Sequence, residues 1–395
     1  MRTIYNISIW IYVIVLNLAA LFNSKARLGI KGRKKIFTQL KIEIADSKNI
    51  VWFHCASLGE FEQGRIIIEA YKLKHPTHKI LLTFFSSSGF EIRKKTPLAD
   101  WVFYLPMDTK SNATKFIHIV NPIKVVFIKY EFWFNYMIEI RKKNIPLYST
   151  STIFRDEQIF FKHKWFAKQL QNIDHFFVQD ERSSQLLKSI NIRNITISGD
   201  TRFDSVLYNS QNAFCIPPLE LFSKKKNTII FGSTWPKDEI LLTQYIKEYP
   251  ENNYIIAPHE LNNLCSLKKQ TKALLYSDIN KNNILRYNVI IIDSIGLLSN
   301  IYQYGSLAYI GGGFGSGIHN ILEASTFGLP VIFGPNYKKF NEAISLINKK
   351  GAISISNYVE LCSAINSLNN FDKSIALNYI KENTGATNKI INQIS

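Results

Sequence analysis

The sequence predicts an α/β protein with two doubly wound, Rossmann-like halves behind an N-terminal membrane helix, and three observations carry that expectation. Its 395 residues exceed what one compact core usually holds. Short β-branched runs alternate with helix-length amphipathic segments through most of the chain, the rhythm of parallel sheets covered on both faces. Residues Ile4 to Phe22 carry no charge. A content of 46% hydrophobic and 20% charged residues excludes a disordered or fibrous body.

The N-terminus comes first. Nineteen residues at ~1.5 Å rise cover about 28 Å, close to a ~30 Å hydrocarbon core. Only Arg2 precedes this stretch, whereas Lys25, Arg27, Lys31, Arg33, Lys34 and Lys35 follow it. A cleaved signal peptide would carry its charges on the other side. By the positive-inside rule this asymmetry keeps the bulk of the chain in the cytoplasm. Residues 1–24 are therefore expected to form a single anchor or a monotopic helix. Residues 25–48 are expected to form a basic connector against anionic headgroups, each basic residue contributing about 1 kcal/mol.

No acidic residue precedes Glu43, so eight positive charges of the net +18 sit in this stretch. The remaining basicity fits an Asn-, Ile- and Lys-rich coding bias as well as an anionic partner. Nucleic acid is a poor candidate partner, because the charge gathers beside an apolar span rather than along an aromatic-studded face. Cys55, Cys215, Cys265 and Cys362 are far apart and match no zinc spacing, which suits a reducing compartment.

Strands are expected in the first half at Ile50–Cys55, Lys79–Phe85, Trp101–Leu105, Ile123–Lys129, Pro146–Ser149 and His175–Val178, with helices such as Phe61–Lys74 and Phe132–Lys142 between them. The second half repeats the pattern at Thr228–Gly232, Tyr254–Ala257, Val289–Ile292, Leu307–Ile310 and Pro330–Phe333. These runs divide the body into domains at 49–204 and 227–395. The linker, 205–226, holds Pro217, Pro218 and the Lys224–Lys226 run. Two such domains facing across a cleft hold ligands at the carboxyl ends of their strands.

Those ends carry the chemistry. Ala56-Ser57-Leu58-Gly59-Glu60 leads from a strand into a helix. There Glu60 can act as a general base, although the helix dipole alone also favours Glu in a first turn. Ile128-Lys129-Tyr130-Glu131-Phe132-Trp133 has the same layout, and Glu131 among aromatics reads either as a site carboxylate or as a buried structural one.

Tyr309 to Asn320 contains five glycines, including Gly317, between a strand and a helix. Such a loop lets backbone N–H groups approach a ligand, or serves simply as a loop. Asn320 can cap the following helix, and Glu323 can take ribose hydroxyls. Arg202, and His259 after Pro258, are further candidates that can equally be surface residues. No D-x-D, H-E-x-x-H or Cys/His cluster offers metal ligands.

In their order along the chain these pieces resemble the Kdo transferases of glycosyltransferase family thirty, which move 3-deoxy-D-manno-oct-2-ulosonic acid from CMP-Kdo onto lipid IVA. The matching segments are the N-terminal anchor, Ala56–Glu60, Glu131-Phe132-Trp133, Gly199–Asp204, His319–Glu323, Phe327–Pro330 and Phe333-Gly334-Pro335. The resemblance implies a GT-B fold, an inverting reaction, no metal and no cofactor, CMP-Kdo being a co-substrate. It also implies an inner-membrane location on the cytoplasmic face, where the anionic lipid surface and the acceptor are partners.

Carried onto this chain, Glu60 matches the base, and Glu131 and Arg202 match transition-state stabilisers. Pro258, His259, Ile295, Gly296, Leu297, Gly317, His319, Asn320, Ile321, Leu322 and Glu323 match the CMP-binding positions. Arg202 stands where many relatives have Lys, and Leu297 replaces a usual Glu. Phe84–Gly89 replaces a Thr-rich acceptor loop, and the glycine segment lacks a usual proline. Alternatives from other classes are a GT-B transferase using another nucleotide sugar and a catalytically silent, membrane-tethered nucleotide binder.

Overall fold

The computed structural model describes residues 1–44, 47–224, 226–280, 283–368 and 371–395. Residues 45–46 of the expected connector and Lys225 of the expected linker lie outside them. Contacts divide the chain into two units, Met1–Ser205 with Thr384–Ser395, and Val206–Asn383. The last twelve residues thus cluster with the first unit and not with the second half that precedes them.

Among the described residues the first unit is built on a seven-stranded parallel sheet. Its strands are β1 (Ile50–Cys55), β2 (Lys79–Phe84), β3 (Trp101–Tyr104), β4 (Lys124–Ile128), β5 (Leu147–Thr152), β6 (His175–Val178) and β7 (Ile195–Ile197), in the order β3-β2-β1-β4-β5-β6-β7. The strands are near-continuous apolar runs because both faces are covered; every residue of β1 is buried. Trp52, Phe116, Phe127 and Tyr136 pack into one core on one face, and Phe53, Phe61, Ile67 and Tyr71 into another. Strand order reverses between β1 and β4, so the loops leaving these two strands diverge to opposite faces and leave a crevice at their carboxyl ends.

The second unit repeats the plan with β8 (Thr228–Thr234), β9 (Asn253–Pro258), β10 (Leu274–Leu275), β11 (Val289–Ile291), β12 (Leu307–Ile310), β13 (Val331–Phe333) and β14 (Ala352–Ser354), in the order β10-β11-β9-β8-β12-β13-β14. Here the reversal falls between β8 and β12. Strands β7, β10 and β14 were absent from the sequence expectation. They are two or three residues long at or near sheet edges, too short for a period to register.

One expectation is corrected at the N-terminus. In the basic connector, which follows α1 (Arg2–Ala19), the chain forms α2 (Ser24–Arg33) and α3 (Ile36–Glu43), and Ile36, Leu40 and Ile44 enter the first unit's core. Arg33 does not face headgroups. Its guanidinium donates to the carbonyls of Leu105 (2.7 Å), Gly29 (2.9 Å) and Phe85 (2.6 Å), and burial pulls its pKa down to about 10. The linker contains a helix, Pro217–Ser223, started by prolines where a missing N–H costs nothing.

α1 is long and apolar enough to cross a membrane, and none of its residues is buried. One side nevertheless touches the first unit. The Tyr5 hydroxyl donates to the buried Asp108 carboxylate, Asn135 Nδ2 donates to Asn6 Oδ1 at 2.9 Å, and the Tyr5 ring lies 4.8 Å from Phe134. Ile4, Ile7, Trp10, Ile11, Ile14, Val15 and Leu18 point away from it, each more than half exposed.

The C-terminal helix Ala386–Ile394 is fixed by Asp204, whose carboxylate accepts the backbone N–H groups of Gly385 (2.5 Å) and Thr387 (2.6 Å). Ile390 and Ile394 then reach the core beside Phe53 and Tyr71. Asp204→Ala removes this cap and is expected to lower stability by about 1–2 kcal/mol, read from urea unfolding.

Candidate active site

Glu60 and Glu131 leave the two strands that flank the reversal in the first sheet. β1 ends at Cys55, and α4 (Leu58–Lys74) starts after Ser57, whose backbone is extended at φ −138°, ψ 173°. Serine in that conformation followed three residues later by Glu makes a capping box. Ser57 N–H donates to Glu60 Oε2 at 2.9 Å and its hydroxyl to the same oxygen at 3.2 Å. Oε1 makes no hydrogen bond among the described residues. Burial pushes the Glu60 carboxyl up, and the Glu131 charge pushes the same way; the Ser57 N–H, His54 and Lys129 pull it down.

Glu131 is 7% exposed, which demands donors for its charge. Trp133 Nε1 donates to Oε2 at 2.7 Å, and His54 Nε2 lies 3.1 Å from the same oxygen. As in Glu60, Oε1 has no hydrogen bond among the described residues. His54 is itself fully buried, on β1 beside its cross-strand neighbour Thr83 on β2, with Nδ1 2.8 Å from the Thr83 hydroxyl. Sequence reading passed over His54 as part of an apolar strand. Its signal was there, since a histidine within six buried strand positions requires polar partners.

Arg202 sits at the start of the helix Thr201–Gln211, paired with Asp200: Nε to Oδ2 is 2.8 Å and Nη2 to Oδ2 is 2.7 Å. Its charge is thus already matched by a neighbour. The Tyr130 phenol is raised first by burial and also feels Arg155, Glu60, Asp200 and Arg202, which places Arg202 and Glu60 around one side chain.

In the second unit the loops after β8 and β12 meet. Thr234 is followed by Trp235 and the helix Pro236–Glu248. Buried Asp238 accepts the N–H groups of Trp235 and Gly312, each at 2.9 Å, and the Tyr309 hydroxyl at 2.7 Å. This carboxylate ties the helix start to the glycine loop. Gly312 has φ +92°, and a Cβ on Gly311 would collide with the Ser233 carbonyl, so both positions require glycine.

Trp235, His259 and His319 form a stacked set. Trp235–His259 centroids are 4.6 Å apart and His259–His319 4.4 Å, with Trp235 Nε1 donating to His319 Nε2 at 2.8 Å. Burial, then His259, lowers the His319 pKa, whereas Asp238 raises it. Beside this set a cavity of about 360 Å³ is lined by Trp235, Pro236, Lys237, Asp238, Gly312, Phe314, Gly315 and Ser316. Lys237 and Asp238 were missed in the sequence, although Trp-Pro-Lys-Asp-Glu after a strand is a helix-start signal.

The other expected donor residues divide. Pro258 ends β9 and is aligned with Thr234, and His259 N–H donates to the Thr234 carbonyl at 2.9 Å. Gly317 closes the glycine loop by donating to the Gly312 carbonyl at 3.3 Å. Asn320 Oδ1 accepts Leu322 N–H at 3.1 Å, and its Nδ2 donates to Glu323 at 3.1 Å, with Ile321 buried between them.

The helix that follows is a single turn, Leu322–Ser325, and one turn carries little macrodipole. The thirteen-residue helix Pro236–Glu248 is the stronger dipole at this edge. Ile295, 91% exposed, Gly296 and Leu297 make no hydrogen bond with the Trp235–His319 set among the described residues. No group of three or more His, Cys, Asp or Glu side chains suited to a metal occurs among the described residues.

Residues 25–205 match the family model described as 3-deoxy-D-manno-octulosonic-acid transferase. A 3-deoxy-D-manno-octulosonic acid transferase of Rickettsia conorii is 25% identical over 90% of this chain and 81% of its own length. Its counterpart in Aquifex aeolicus is 25% identical over 85% and 90%. Among solved structures, Neisseria meningitidis UDP-GlcNAc 2-epimerase bound to UDP-GlcNAc aligns with TM-score 0.62 at 14% identity, covering 87% of this chain and 99% of that one. Acinetobacter baumannii MurG aligns with TM-score 0.55 at 9% identity, covering 87% and 98%. These likenesses establish the GT-B fold. With residues 25–205 matched by that family model and relatives at 25% identity covering most of its length, the chain is similar to the Kdo transferases and is a glycosyltransferase.

Proposed function

We propose that the protein transfers Kdo from CMP-Kdo to lipid IVA, with inversion and without a metal, at the cytoplasmic face of the inner membrane. The observation that carries this reading is the pair of carboxylates at the β1/β4 reversal, Glu60 and Glu131, each held through Oε2 and each leaving Oε1 without a partner among the described residues. Glu60 takes the proton of the acceptor hydroxyl as the hydroxyl oxygen bonds to the anomeric carbon. The bond from that carbon to the CMP phosphate breaks, and the phosphate leaves with the electron pair. One displacement inverts the centre.

Glu131 faces the positive charge that develops on the sugar, and Arg202 completes the polar rim with Asp200. In the second unit, Lys237 and the first turn of the helix Pro236–Glu248 supply a cation and N–H groups for the donor phosphate, across the cavity from Gly312–Ser316. The ring set of Trp235, His259 and His319 offers an aromatic wall for the nucleoside. Product mass spectrometry with CMP-Kdo and lipid IVA tests the reaction. Calorimetric titration with CMP, UMP and UDP tests the donor, and a clear preference for UDP overturns it.

The membrane part of this reading concerns α1. Its polar side is latched through Tyr5 to Asp108 and through Asn6 to Asn135, and its apolar side is open. A helix latched in this way lies along the bilayer surface, where exposed Lys25, Arg27, Lys31 and Lys34 meet anionic headgroups. Deleting residues 1–24 is expected to preserve CMP binding and to slow transfer to vesicle-borne acceptor. Fluorophores at Ile4→Cys and Leu18→Cys are expected to be quenched at equal depth. A spanning helix would separate them by about 21 Å.

Glu60→Gln is expected to lower kcat by roughly 10²–10⁴-fold with CMP affinity unchanged. As a base, Glu60 must be ionised, and its raised pKa places the acid limb of kcat above the usual carboxylate range. Removing the like charge in Glu131→Gln lowers the Glu60 pKa, so the limb of its residual activity is expected to move to lower pH.

A further inference from the structure

We propose that His54 is a positioning residue of this reaction: it holds Glu131 by Oε2 so that Oε1 stays turned toward the reacting sugar. The role given to Glu131 rests on the transfer reaction proposed above, whereas the hold on its side chain stands on geometry alone.

His54 is on a central strand with no exposure, so it cannot reach substrate itself. It is pinned from below: Trp52 Nε1 donates to Thr83 Oγ1 at 2.7 Å, and Thr83 Oγ1 lies 2.8 Å from His54 Nδ1. Nδ1 also lies 3.1 Å from the Thr83 carbonyl, and Nε2 lies 3.0 Å from Trp133 Nε1. In the tautomer whose Nδ1 accepts the Thr83 hydroxyl proton, the proton on Nε2 points at Glu131 Oε2, 3.1 Å away. Trp133 Nε1 reaches the same oxygen, and its indole is stacked on Phe85 at 4.6 Å.

Two donors fixed by buried neighbours therefore converge on one carboxylate oxygen, which fixes where the other points. The charged groups that share this edge with His54 are Glu131, Glu60 and Lys129. With Glu60 so near, a Glu131 side chain released from its clamp would swing away from the like charge, taking Oε1 with it.

The test compares two amides. In His54→Gln the terminal N–H₂ falls near the place of Nε2 and keeps a donor to Glu131. In His54→Asn it falls near Nδ1 and loses that donor. His54→Asn is expected to lower kcat roughly 100-fold, the cost of about 1 Å of misplacement, with KM for CMP-Kdo little changed. His54→Gln is expected to recover most of the loss, with the two variants melting at similar temperatures.

A second measurement does not depend on activity. In the substrate-free protein, ¹⁵N-edited NMR is expected to show a slowly exchanging His54 Nε2–H that shifts in Glu131→Gln. Wild-type kcat in folded His54→Asn, equal losses in both amides, or an Nε2–H indifferent to Glu131→Gln would each overturn the proposal. A wild-type protein that makes no Kdo product would instead defeat the reaction, leaving the NMR result to decide the clamp.

Discussion

A carboxylate taken out of water must be given donors, and this constraint organises both halves of the molecule. Glu131 finds them in His54 and Trp133, Glu60 in its own helix start, and Asp238 in two backbone N–H groups and a tyrosine hydroxyl. Their occupancy differs. Asp238 is saturated on both oxygens and so serves as a joint between a helix and a loop. Glu60 and Glu131 are bonded through Oε2 only among the described residues, which leaves each a directed acceptor. Ordinary accounting of hydrogen bonds thus separates an acid bonded through both oxygens from two that keep one oxygen open.

The reversals in strand order decide where these acids can stand. In each sheet two adjacent strands send their following segments to opposite faces, and only there can side chains from two loops approach without a helix between them. Glu60 and Glu131 use this opening in the first unit. Asp238 and the glycine loop use it in the second. In β1 and β2, which are otherwise almost wholly apolar, the buried polar residues His54 and Thr83 stand out as components of the edge above them.

The alternation of apolar runs and amphipathic helices made the two-sheet plan legible, because parallel strands covered on both faces write themselves as continuous hydrophobic segments. Glu60 was legible through its Ser-x-x-Glu spacing, and the glycine loop through composition. Specific side-chain pairings and helix lengths were not. Arg202 read as an available cation, but Asp200 two residues earlier holds it. Asn320 read as the cap of a helix whose length the sequence left open; it ends at Ser325, and the stronger dipole comes from Pro236–Glu248. The stretch after α1 read as a basic connector against headgroups, and the spacing of Ile36, Leu40 and Ile44, one helical turn apart, adds a buried face to it. The division of the chain at its end was invisible, because the bonds that retain Ala386–Ile394 come from Asp204, 180 or so residues away in sequence.

The N-terminal helices and the Glu131 clamp are also built on shared side chains. The Phe85 ring carries Trp133 on its stack at 4.6 Å, receives the Arg33 guanidinium at 4.8 Å, and has Tyr12 of α1 at 6.1 Å. Its carbonyl is held by the same Arg33. Arg33 is charged yet mostly enclosed, which is tolerable only because three carbonyls and two aromatic faces surround it. That enclosure fixes Phe85, Phe85 supports the Trp133 indole, and the indole N–H orients Glu131. A segment whose outer surface is apolar and exposed is therefore, on its inner surface, part of the wall that sets the geometry of the Glu131 carboxylate.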